Sequence, residues 1–184
     1  MNLFYEDYPS SICVDGAEIP IITDFRDIIR FMDMLNDDSM NPYEKTQCAL
    51  MYFKEIPENL EATLMLFCDF INMSDLEDVS DQVRGNPGKD VFVFAFDYPF
   101  IYSAFLCEYG INLRTVKYLH WWEFINLFKG LSENTEIKQR MMYRSIDLES
   151  IKDKDERNRI RKIQNQIRLP KRTVSDADIA NAFM

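Results

Sequence analysis

Glycine, proline and histidine are scarce: the 184 residues include five glycines, seven prolines and one histidine. So few turn-forming residues disfavour a β architecture with many turns and favour helices. No run of apolar residues reaches the roughly 18 that a membrane helix needs, and the N-terminus lacks the basic and apolar regions of a signal peptide. We therefore expect a helical protein, with no membrane segment, in the cytoplasm of the cell that makes it.

Closely spaced cysteines are also lacking. The four cysteines are Cys13, Cys48, Cys68 and Cys107. Zinc sites and redox pairs need closer spacing, such as Cys-x-x-Cys, and a disulfide framework would be unusual in a cytoplasmic chain. Because each cysteine lies among apolar neighbours, we expect all four to be small buried hydrophobic residues.

Catalytic patterns are missing as well. The sole histidine, His120, has Glu123 three residues later but lacks the His-Glu-x-x-His pattern of a zinc protease. A cysteine nucleophile would need His120 as its base, and no local pattern supports that pairing. The carboxylates are scattered over polar helix faces. The sequence predicts no catalytic, cofactor-binding or metal-binding residue, and hence no enzyme.

Charge is abundant but unevenly spread, within a net charge of −10. Residues 1–144 hold 24 acidic and 12 basic side chains, whereas residues 145–172 hold 5 acidic and 9 basic ones. An acidic body repels phosphates, which argues against nucleic-acid binding. The polarity favours self-association, acidic body against basic tail, or a basic protein partner.

The pattern along the chain predicts a mainly α protein: a compact multi-helix domain over residues 1–144 with a small N-terminal β-hairpin over residues 11–22. Asp15-Gly16 favours a type I′ hairpin turn, because both positions need positive φ. Helices are predicted from Thr23 to Leu35, from Pro42 to Lys54 with Asn41 as its cap, and from Pro57 with Leu60, Leu64, Phe67, Cys68 and Ile71 inward.

The middle of the chain is predicted to begin with a surface loop over residues 73–90. A short apolar strand over residues 91–96 follows. Asp97 and Pro99 then start a helix that Gly110 closes as its C-cap. A further helix is expected from Asn134 or Thr135 to Arg144.

The most distinctive stretch is the tryptophan-rich helix predicted over residues 118–131, which is apolar over most of its circumference. We expect it to be the central core helix. Its core residues would be Trp121, Trp122, Phe124 and Phe128. A carboxylate on so apolar a helix needs a partner, so we expect Glu123 to pair with Arg144, and the loss of either to lower the melting temperature by several degrees.

A basic amphipathic helix is predicted over residues 145–170, starting at Asp147 or Asp153, with a flexible tail at 171–184. Its narrow apolar seam consists of Ile160, Ile163 and Ile167. Dense charge surrounds the seam, including Arg157, Arg161 and Lys162. Such a seam suits contact with a partner or packing on the protein's own domain, and both remain open here. Phe183 in the tail is a further candidate anchor for a partner.

Three spaced motifs occur in order before this basic helix. They are Ile101-Tyr102-Ser103-Ala104-Phe105 with Tyr109-Gly110-Ile111-Asn112-Leu113, then His120-Trp121-Trp122-Glu123-Phe124 with Gly130-Leu131, and then Tyr143-Arg144. Over about residues 5–170 the chain resembles the phage "gene product fifteen" family of tailed phages and prophages of Gram-positive bacteria. Members often carry Asp where this chain has Asn112. The genes of that family lie between those of the major tail protein and the tape-measure protein.

The resemblance implies a tail assembly chaperone or scaffold that binds the tape-measure protein and tail-tube subunits and leaves before the virion is finished. It implies no catalytic residues and no cofactor. Two alternatives remain at this point: a structural tail component retained in the virion, and a nucleic-acid-binding module that uses the basic helix.

Overall fold

The computed structural model of the protein describes residues 4–55, 57–73 and 91–170. Within them the chain is mainly α-helical, as expected, with one two-stranded hairpin. The helices are α1 (Phe25–Leu35), α2 (Pro42–Ala49), α3 (Leu60–Asn72), α4 (Phe94–Tyr109), α5 (Trp121–Gly130), α6 (Glu136–Ser145) and α7 (Lys154–Gln166). Residues 74–90 of the loop predicted over 73–90, and the tail at 171–184 with Phe183, lie outside the described residues.

The hairpin forms where the turn dipeptide predicts it. Strands β1 (Ser11–Val14) and β2 (Ala17–Pro20) pair antiparallel, with Ile12 opposite Ile19. The turn residues Asp15 and Gly16 have φ values of 52° and 84°, as a type I′ turn requires. The prediction of the hairpin is therefore confirmed.

Helix α2 starts as predicted but ends earlier than expected. The Asn41 side chain accepts a hydrogen bond from the Glu44 N–H, and the Glu44 carboxylate accepts one from the Asn41 N–H, which completes a capping box. The helix was expected to reach Lys54, yet a 3-10 turn follows at Leu50–Tyr52 and Phe53 is extended. The chain straightens there because Phe53 forms a β-bridge with Ile21.

Helix α3 begins three residues later than expected, because the side chain of Asn59 caps it by accepting the Ala62 N–H. Its buried residues are Thr63, Leu64, Phe67 and Phe70. Cys68 and Ile71, which were expected to point inward, are only half-buried. The buried stripe is thus rotated slightly from the predicted one.

The expectation that the cysteines are buried is wrong. Cys13 and Cys107 are exposed, and Cys48 and Cys68 are half-buried. In β1 the side chains alternate between faces, so Cys13 points out where its neighbours Ile12 and Val14 are buried.

The predicted strand at 91–96 is also wrong, because α4 already begins at Phe94. The Asp97 carboxylate accepts a hydrogen bond from the Val93 N–H at 3.0 Å and so caps the helix ahead of Pro99. The helix ends as predicted, with Gly110 in the left-handed conformation at φ 67°.

The last helices start at predicted signals. Thr135 precedes α6, and Asp153 caps α7 by accepting the Glu156 N–H. Asp147, the other candidate, caps a separate 3-10 turn at Leu148–Ser150. Each acidic cap therefore begins an element of its own.

Among the described residues the chain forms two compact units. The first comprises residues 4–55, 57–73 and 118–125, and the second residues 91–117 and 126–170. These units do not follow the expected boundary at residue 144, because α7 packs on α6 and α6 on α4 within the second unit. None of the described helices combines the length and apolar character needed to cross a bilayer.

Candidate interaction surface

The tryptophan-rich helix starts at Trp121, later than expected, because His120 caps it. The His120 Nδ1 accepts the Trp122 N–H at 3.0 Å, and Tyr118, outside the helix, is 54% exposed. The aromatic residues expected in the core are each at most 4% exposed: Trp121, Trp122, Phe124 and Phe128.

Both indoles also serve as hydrogen-bond donors. Trp121 Nε1 donates to the Ile71 carbonyl and Trp122 Nε1 to the Phe70 carbonyl, each at 2.8 Å. Those carbonyls lie in the last turn of α3, beyond the regular helical hydrogen bonds, and the Phe70 carbonyl also accepts the N–H of the C-cap residue Met73 at 3.2 Å. The two tryptophans therefore donate hydrogen bonds to the carbonyls at the end of α3, and their rings also fill the core of the first unit.

His120 is held on both ring nitrogens. Because Nδ1 accepts the Trp122 N–H, Nε2 carries the proton and donates to the Pro9 carbonyl at 3.0 Å. The ring stacks on Tyr8 with 4.8 Å between centroids, and burial lowers the pKa of His120 below its usual 6.5. This imidazole is a structural link between backbone segments, with no nitrogen left to act as a base.

The expected pairing of Glu123 with Arg144 is wrong. Glu123 faces solvent. Arg144 instead pairs with Asp97: Nη1 lies 2.7 Å from Oδ2 and Nη2 lies 2.9 Å from Oδ1. Their side chains are 4% and 0% exposed, and two parallel hydrogen bonds between a guanidinium and a carboxylate are the strong geometry for such a pair.

Arg144 has two further acceptors within the second unit. Its Nε donates to the Ile167 carbonyl at 2.8 Å, and its Nη1 to the Val91 carbonyl at 3.0 Å. One side chain on α6 therefore links the start of α4, through Asp97, to the end of α7. This link orients both helices.

The apolar seam of α7 faces its own unit. Ile160 is 5% exposed, Ile167 is 9% exposed and Ile163 is half-buried. Of the basic residues expected to meet a partner, Arg157 is half-buried and donates to the Ile151 carbonyl, whereas Arg161 and Lys162 are exposed. The seam is therefore not available to a partner, and the alternative of packing on the protein's own domain is the one observed.

Helix α4 instead leaves an apolar surface in solvent. Its buried side carries Asp97, Ile101, Ala104 and Phe105. On the opposite side, successive turns place Ala95, Phe96, Pro99, Tyr102, Ser103 and Leu106, which we call the α4 face. Phe96 and Leu106 are 43% and 41% exposed. The α4 face carries no charged residue, since the only one between residues 94 and 107 is the buried Asp97.

The sequence pattern did not predict this surface, because the apolar run over residues 91–96 favours a strand that includes Phe96. A signal was nonetheless present: residues 91–107 contain one charged side chain, and a helix that is apolar all round needs partners on every side. Contiguous exposed apolar surface of this kind marks interaction sites in soluble proteins.

The comparisons with known proteins agree with the motifs. A family model described as bacteriophage Gp15 protein matches residues 4–169. The chain belongs to this phage protein family. No curated protein and no solved structure matches the chain.

The motifs that resemble the Gp15 family hold packing and capping residues. The first supplies the buried Ala104 and Phe105 of α4 and also Gly110 at the end of that helix. A later motif supplies Arg144. Among the described residues, no three His, Cys, Asp or Glu side chains are placed so that they could hold a metal ion.

Proposed function

We propose that this Gp15-family protein is a tail assembly chaperone that binds the tape-measure protein and tail-tube subunits during tail morphogenesis. The α4 face would receive a helix of the tape-measure protein. The exposed, uncharged α4 face is the observation that carries this proposal. The gene position that the family resemblance implies, between the major tail protein and the tape-measure protein, supports it. We further propose that the protein has no enzymatic activity and acts in the host cytoplasm.

The chemistry of the α4 face suits an amphipathic helix. Side chains four, seven and eleven residues apart along α4, such as Ala95, Pro99, Tyr102 and Leu106, form a continuous stripe. A partner helix that lays its own apolar stripe there buries both without removing any charge from water. A long helical protein offers many such stripes in sequence.

Co-expression tests the proposal. The full chain is co-expressed with fragments that together cover the tape-measure protein of the same phage, and the complexes are separated by gel filtration. We expect co-elution with at least one fragment and its loss in the variant F96Q/L106Q. The matched control is Y43Q/M51Q, which alters two residues of the first unit that are 72% and 71% exposed.

Two outcomes would overturn the proposal: no fragment co-elutes, or the α4 variant binds as well as the control. Melting curves show whether F96Q/L106Q stays folded, and L106Q alone replaces it if it does not. Mass spectrometry of purified virions then separates a chaperone, which is absent from them, from a tail component, which is retained.

A further inference from the structure

Charge is divided between the two compact units. Among the described residues, the first unit holds 15 acidic and 4 basic side chains, and the second holds 9 acidic and 13 basic ones. Surfaces of opposite charge on one molecule attract the complementary surfaces of other copies.

The positive charge concentrates on the C-terminal half of α7 and on Arg168, just beyond the end of that helix. No acidic residue occurs between residues 157 and 170. Arg161, Lys162 and Arg168 are exposed, and no carboxylate among the described residues forms an ion pair with them. We call these three residues the basic α7 face. The buried Ile160 holds the helix in place from its other side.

The negative charge includes a matching strip on α3. No Lys or Arg occurs between residues 55 and 83. On the solvent side of α3, Glu61, Met65 and Asp69 follow one another at intervals of four residues, and all three are exposed, Met65 at 66%. We call them the acidic α3 face. Met65 adds an apolar contact between the two carboxylates.

The acidic residues follow the helix repeat, whereas the basic ones extend past their helix. Glu61 and Asp69 are eight residues apart on α3, which is about 12 Å along a helix. Arg161 and Lys162 lie near the end of α7, and Arg168 lies two residues beyond it. We propose that the protein self-associates head to tail, with the basic α7 face of one copy against the acidic α3 face of a second copy. This inference does not depend on binding of a tape-measure protein.

A head-to-tail contact has a consequence that a symmetric one lacks. Each copy keeps one free face of each sign, so assembly continues beyond two copies, either into a ring or into an open chain. Neutralising one face of a molecule should stop assembly at that end only.

Two neutralised variants test this: R161Q/K162Q/R168Q removes the basic face and E61Q/D69N the acidic face. Their controls change the same number of exposed charges elsewhere, R114Q/K129Q/K152Q and E133Q/E149Q. Mass is followed against concentration by analytical ultracentrifugation before and after nuclease treatment. Melting curves of all variants show that they remain folded.

For the wild type and both controls we expect average mass to rise with concentration at about 50 mM salt and much less at about 500 mM. Each neutralised variant should associate about tenfold more weakly, as loss of a few exposed ion pairs implies. A 1:1 mixture of the two neutralised variants should form heterodimers and stop there.

Four results would overturn the proposal: a wild type that stays monomeric, a neutralised variant that assembles like its control, growth of the mixture beyond heterodimers, or association that disappears on nuclease treatment. The last would assign the basic α7 face to nucleic acid.

Discussion

Arg144 and His120 both join distant segments of the chain through hydrogen bonds to backbone carbonyls, yet one is charged and the other neutral. Both residues are 4% exposed. The charge of Arg144 is buried in the second unit because Asp97 neutralises it and two carbonyls accept two more of its N–H groups. His120 forms no ion pair with any described residue, and burial lowers its pKa.

The difference shows two ways to place a polar link inside a protein. A buried ion pair depends on its partner, because removing one member leaves an uncompensated charge. A buried neutral imidazole depends on pH, because protonation of Nδ1 would end its acceptance of the Trp122 N–H. We call Arg144 with Asp97 the charged centre and His120 with its two backbone partners the neutral centre. Different changes should therefore destabilise the two centres.

The largest expected effect is that of R144M, which leaves the Asp97 carboxylate buried without a counter-charge. We expect the free energy of unfolding to fall by about 3–5 kcal/mol, measured by denaturant titration. The control R159M removes an exposed pair with Glu156, with 3.6 Å between the charged atoms, and should cost less than about 1 kcal/mol. A loss in R144M no greater than in R159M would contradict this role of the charged centre.

A smaller loss is expected for H120F. Phenylalanine keeps a ring against Tyr8 but leaves the Trp122 N–H and the Pro9 carbonyl without their partner. We expect the free energy of unfolding to fall by about 2 kcal/mol. In H120N a short acceptor remains at the helix N-cap, so the loss should be smaller. Equal stability of H120F and the wild type would show that these hydrogen bonds contribute little.

The neutral centre should also make stability depend on pH. Because the pKa of His120 is lower in the folded protein, the unfolded chain takes up a proton first as the pH falls below about 6.5. The free energy of unfolding should therefore fall with decreasing pH below that value, by at most about 1.4 kcal/mol per pH unit, and stay constant just above it. As His120 is the only histidine, H120N should lack this slope; an unchanged slope would place its origin elsewhere.

The smallest expected effect is that of E123Q. Glu123 is exposed and belongs to neither centre, so the free energy of unfolding should change by less than about 0.5 kcal/mol. The sequence alone had predicted a fall of several degrees in melting temperature. A fall of that size would mean that Glu123 has a buried partner after all.

Local signals were read correctly from the sequence where neighbouring residues decide the outcome. Asp15-Gly16 formed its turn because few dipeptides accept two positive φ angles. Asn41 and Glu44 formed a capping box because both partners lie within one turn. Errors arose where a distant residue decided the outcome, as when the bridge to Ile21 made Phe53 extended after α2, or when Arg144 paired with Asp97 and not with Glu123.

The sequence by itself determined the helical class, the hairpin, the caps at Asn41, Gly110 and Asp153, and the Gp15 family. Only the tertiary structure decided which way each helix faces: the seam of α7 points inward, while one apolar side of α4 remains in solvent. It also decided that Arg144 pairs with Asp97, 47 residues away. The physical reason is that periodicity sets the arrangement of faces around a helix, whereas the rotation of that helix depends on contacts made far along the chain.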